Sequence, residues 1–90
     1  MSQPNEDSAQ CWRAVAHFAD RDDRLLFLGR SPAQVHAGFE RAFAQVLDEE
    51  ERGNVRAITL QRWDGVPDAG RWLHEANLRI PLADAALWQA

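Results

Sequence analysis

Lysine and tyrosine are absent from this 90-residue chain, cysteine and methionine occur once each, and no apolar run approaches the roughly 20 residues of a bilayer span. Each shortage removes a class of protein. A single cysteine, Cys11, excludes an internal disulfide and offers one thiolate at most to a metal, so a reducing compartment and a cytoplasmic location are expected. Residues 1–10 have neither a basic n-region nor an apolar h-region, so they are expected to be a disordered N-terminal tail and not a secretory signal. The remainder, 11–90, has the length of a single small domain with a modest core.

All ten basic residues are arginine, they form no run, and the formal net charge is -4. An acidic balance without a positive stripe weighs against nonspecific binding to DNA or to an anionic membrane. No glycine-rich nucleotide loop is present either. Gly29, Gly53, Gly65 and Gly70 fall in separate turns, and Gly38 falls inside a helix.

What is present is periodicity. Residues 11–19 alternate, with Trp12, Ala14, Ala16 and Phe18 on one face and Cys11, Arg13, Val15 and His17 on the other. After the polar turn Asp20–Asp23, Arg24–Leu28 form a second strand whose inward face the pattern leaves open. Ser31, Pro32 and Gln34 supply an N-cap, a first-turn proline and the third-position glutamine of a capping box. Val35, Phe39, Ala42, Phe43, Val46 and Leu47 then make one apolar stripe of a helix expected to run to about Arg52 and to stop at Gly53-Asn54. Gly38 lies on that stripe, where a missing side chain lets the helix approach the sheet closely.

A third strand spans Val55 to Trp63, with Ile58 and Leu60 on one side and Ala57, Thr59, Gln61 and Trp63 on the other. The loop Asp64–Gly70 is dense in turn formers. In the last strand, Trp72, Ala76, Leu78 and Ile80 alternate with Glu75, Asn77 and Arg79. The expected fold is therefore α+β: a two-layer domain of order ββαββ, with an antiparallel four-stranded sheet covered by one helix on one face. Leu82–Trp88 suit a short C-terminal helix, with Trp88 either folded back onto the core or available to a partner.

Cover on one face only leaves a second face open. If Trp12, Phe18, Ile58, Leu60, Trp72, Leu78 and Ile80 face the helix, the open face displays Arg13, Val15, His17, Ala57, Thr59, Trp63, Leu73, Asn77 and Arg79. A single bulge would exchange the two sets along a strand. Tryptophan and arginine are enriched at protein interfaces, and the candidate binding residues are Trp63, Arg13, His17, Arg79 and Leu73. The expected function is a small intracellular interaction, adaptor or regulatory domain with a protein partner or a second copy, and with no catalytic activity of its own.

Two other classes compete. Aromatics and arginines on an open sheet can bind single-stranded nucleic acid, against which stand the net charge and the acidic segments Asp20–Asp23 and Asp48–Glu51. A small hydrolase-like enzyme would have to use His17 or His74 in a concave site with at least two convergent polar groups. His74 is expected on the core side as a structural histidine. Cys11 and His17 lie about 20 Å apart along an extended strand, too far to pair directly. The three histidines lack metal-ligand spacing, so neither metal nor cofactor is expected. Asp48–Glu51, placed near a helix C-terminus, would oppose the helix dipole, which calls for an arginine such as Arg52 or Arg56 to offset them.

Overall fold

A computed structural model describes residues 11–81. The expected tail 1–10 and the helix over Leu82–Trp88, with Trp88, lie outside the described residues. The architecture is the α+β fold that the periodicity predicts. The elements are β1 (Trp12–Phe18), β2 (Arg24–Gly29), α1 (Pro32–Val46), α2 (Glu49–Gly53), β3 (Val55–Val66) and β4 (Ala69–Leu78). The strands form one antiparallel sheet of order β2-β1-β3-β4, so the two hairpins meet through β1 and β3. Among the described residues no helix is long and apolar enough to cross a membrane.

Helix α1 begins as its capping residues dictate. The Ser31 hydroxyl accepts the Gln34 N–H at 3.1 Å, while the Gln34 side chain reaches back to accept the Arg30 N–H at 2.6 Å. Its apolar stripe buries Val35, Phe39, Ala42 and Phe43 against Ala14, Ala16, Leu26, Ile58 and Leu60. The packing is chiefly on β2 and β1.

The helix does not run on to Arg52. Leu47 turns into an extended conformation and is buried, and Asp48 starts a second short helix. The reason is a complete capping box. The Asp48 carboxylate accepts the Glu51 N–H at 2.8 Å, and the Glu51 carboxylate accepts the Asp48 N–H at 2.9 Å. Glu49, Glu50 and Glu51 therefore occupy the first turn of a helix, where the dipole favours them, and not the last turn of a longer one. Arg52 serves the preceding helix, donating to the carbonyls of Ala44 at 3.1 Å and Leu47 at 2.6 Å. Arg24 pairs with Glu51 at 2.6 Å and tethers α2 to the edge strand β2.

The expected loop Asp64–Gly70 is almost entirely strand. Only Pro67 and Asp68 turn, between Val66 and its partner Ala69. Gly65 makes this tight hairpin workable at φ +122°, where a Cβ would stand 2.7 Å from the Cα of Gly70.

Three bulges set which side chains face α1. In β2 the extra residue Leu26 lets it and Phe27 turn inward together. In β3 the extra residue is Arg56, opposite the His17–Phe18 step. In β4 it is Glu75, opposite the Leu60–Gln61 step. The last one corrects the sequence reading of β4. Trp72 and His74 share the open face, and Leu73 turns to the helix side, opposite Arg62.

Candidate functional site: the open sheet face

Register and alternation place Arg13, Val15 and His17 of β1 beside Leu28, Leu25, Gln61, Thr59 and Ala57 of the flanking strands, on the side away from α1. Trp63, Trp72, His74 and Asn77 continue this face along β3 and β4. Val15 is 4% exposed although it stands apart from the cluster packed on α1; its cross-strand partners are Leu25 and Thr59. Leu25 and Leu28, on the edge strand, are about half exposed.

Four polar side chains of this face, with Asp23 at its margin, form one continuous string. Asp23 Oδ1 lies 3.1 Å from His17 Nδ1, and His17 Nε2 lies 2.7 Å from Thr59 Oγ1. Gln61 Nε2 donates to the same hydroxyl at 3.1 Å, and Arg13 Nε donates to Gln61 Oε1 at 2.7 Å. One set of roles satisfies every link: His17 donates from Nδ1 to Asp23 and accepts the Thr59 hydroxyl proton at Nε2, which leaves the Thr59 oxygen to accept from Gln61.

Arg13 joins the string to the aromatic pair. Its guanidinium lies 4.1 Å over the Trp72 ring, and Trp72 meets Trp63 edge to face at 5.2 Å between ring centroids. Trp63 is fixed in turn by its indole N–H, which donates to the Val66 carbonyl at 3.0 Å, and by Gly70, where a Cβ would stand 2.8 Å from the ring. Partial burial lowers the Arg13 pKa from its ordinary value, and the charges of Asp23 and Cys11 act in the opposite direction.

The candidate residues are thus only partly brought together. Arg13, His17 and Trp63 share the face. Leu73 does not, because the Glu75 bulge turns it to the other side. Arg79 is exposed and follows the end of β4, seven residues beyond Trp72 and well away from the aromatic pair. His74, expected on the core side, is exposed on the open face and bonds Asn77 at 3.1 Å. The sequence reading missed Trp72, Asp23, Leu25 and Leu28. Trp63 and Trp72 stand equally far from the Pro67-Asp68 turn, so a two-residue hairpin would have paired them directly.

The other charges on the hairpin lie on its opposite side. Arg62 pairs with Glu75 at 3.0 Å and with Asp64 at 3.6 Å. A cavity of about 340 Å³ is lined by Phe27 and by α1 residues including Gly38 and Arg41, in the helix layer and away from the open face. Among the described residues no group of three histidine, cysteine or acidic side chains is placed to hold a metal. Compared with known protein families, curated proteins and solved structures, the chain matches none.

Proposed function

We propose that this protein is a small interaction module that docks a protein partner on its open sheet face. The observation that carries the reading is charge segregation. In a chain that is 27% charged, the strand residues of this face include one formally charged side chain, Arg13, stacked on a tryptophan. Depletion of charge at the centre, with tryptophan and arginine as anchors, is the composition of interface cores. Stacked nucleic-acid bases fit less well, since Arg13 lies on the Trp72 ring and one cation is too few for a run of phosphates.

The test is photo-crosslinking in cells that make the protein, with a benzophenone side chain in place of Leu28 on the open face or of Glu40 on the outer side of α1. Adducts from position 28 and none from position 40 are expected. Equal labelling from both, or none from either, would remove the reading.

The Asp23–His17–Thr59 string favours a second reading, a hydrolase-like site. Its distances suit a hydroxyl activated by a histidine that a carboxylate orients. A fluorophosphonate reagent tests it: Thr59 Oγ1 would form the O–P bond, fluoride would leave, and His17 would take the hydroxyl proton. Absence of an adduct on Thr59 by mass spectrometry dismisses it.

A further inference from the structure

We infer that the occupant of the open face is a second copy of this chain, packed sheet against sheet; the inference rests on the docking reading above. Charge is the first argument. Each copy carries -4, and among the described residues exposed acids are placed off this face, as with Glu40 on α1, Glu49 and Glu50 on α2, and Asp64 and Glu75 on the far side of the hairpin. No strand residue on the open face is a carboxylate, and Asp23 at its margin is engaged by His17. Two copies of an acidic chain can meet there without setting carboxylate against carboxylate.

Area is the second argument. Strands of 7, 6, 12 and 10 residues, at about 3.3 Å per residue and 4.8 Å between strands, span on the order of 550 Å² in projection. Side chains standing on that plane raise the accessible area toward the roughly 800 Å² per partner of a standard interface.

Layout is the third. The exposed leucines, Leu25 and Leu28, lie on the edge strand β2, whereas Trp63 and Trp72 lie on β3 and β4. A two-fold axis between facing sheets brings the leucine corner of one copy against the tryptophan corner of the other, twice. That is the self-complementarity an isologous dimer requires.

Sedimentation velocity on the full chain, over about 5 to 500 μM so as to cover micromolar and weaker dissociation constants, is the experiment. Wild type is expected to rise to twice the 10.2 kDa chain mass. Leu28→Glu, at a position 54% exposed and so compatible with folding, is expected to weaken dimerisation by about tenfold or more. Glu40→Lys, on the outer side of α1, should associate like wild type. Circular dichroism confirms that each variant is folded. A wild-type monomer at every concentration, or a dimer indifferent to Leu28→Glu, overturns the inference. In that event crosslinks from position 28 to a different protein would leave the docking reading standing, whereas no crosslink from either position would remove both.

Discussion

The ring of Phe27 occupies the space that a side chain at Gly38 would fill. A Cβ there would stand 2.5 Å from the ring atoms Cε1 and Cζ. Alanine at a helix interior gains about 1 kcal/mol over glycine by propensity alone. Here the ring must move, and overpacking of this kind costs about 1–3 kcal/mol. Gly38→Ala is therefore expected to lower stability by about 1 kcal/mol net in urea unfolding. Adding Phe27→Leu should recover part of that loss, a coupling that a double-mutant cycle reads directly.

The break between α1 and α2 depends on Asp48 and Glu51. Asp48→Ala removes one arm of the capping box and is expected to cost about 1 kcal/mol. Glu51→Ala should cost somewhat more, because the same carboxylate also holds Arg24 of β2. Hydrogen exchange supplies the local check: the Glu51 amide, bonded to Asp48 in the wild type, should exchange faster in Asp48→Ala. Unchanged exchange there would mean that the box does not hold the helix start in solution.

Gly70 gives Trp63 its seat. Gly70→Ala would set a methyl group against the Asp64 carbonyl oxygen and within 2.8 Å of the Trp63 ring, so the hairpin backbone and the ring must both shift. A change in near-ultraviolet circular dichroism is expected, with far-ultraviolet strand signal retained. Gly65→Ala is a different lesion, since it strains backbone at φ +122° and should cost about 1–3 kcal/mol. Both variants are expected to lower the thermal midpoint, and the near-ultraviolet tryptophan signal separates them, changing most in Gly70→Ala.

A modest acid-labile contribution belongs to Asp20. The side-chain hydrogen bond from Arg21 holds its carboxyl below the ordinary value of 3.8. A carboxylate whose folded pKa is depressed contributes stability above its unfolded pKa and loses it as pH falls through the folded one. Asp20→Asn should therefore flatten slightly the loss of stability below about pH 4, and only slightly, because the pair is exposed. An acid limb identical to that of wild type would show that the pair contributes nothing in solution.

The strands and the start of α1 are legible in the sequence because burial there is one-sided. Ala14, Ala16, Ile58 and Leu60 alternate with side chains of the open face, and only one register sets all four against α1. β4 is less legible for a physical reason: Trp72 and Leu73 are adjacent and both apolar, so either could face inward. The bulge at Glu75 decides between them, and a bulge has no signature in a period-two pattern. The end of α1 was hidden differently. The apolar stripe and the acidic run Asp48–Glu51 read as one helix with a charged end, although Asp48 and Glu51 also have the spacing of a capping box. Alternation along β1 and β3 was enough to put Arg13, His17 and Trp63 on the open face, whereas the position of Leu73 inherited the ambiguity of β4.

The bulges at Leu26 and Glu75 fall in β2 and β4, the two outer strands of the sheet. Irregular outer strands are poor templates for another chain to extend the ladder of hydrogen bonds. Growth by adding strands side by side, the route to fibrils, is thereby discouraged at both margins. The fold keeps its broad, sparsely charged face while making endless lateral stacking difficult.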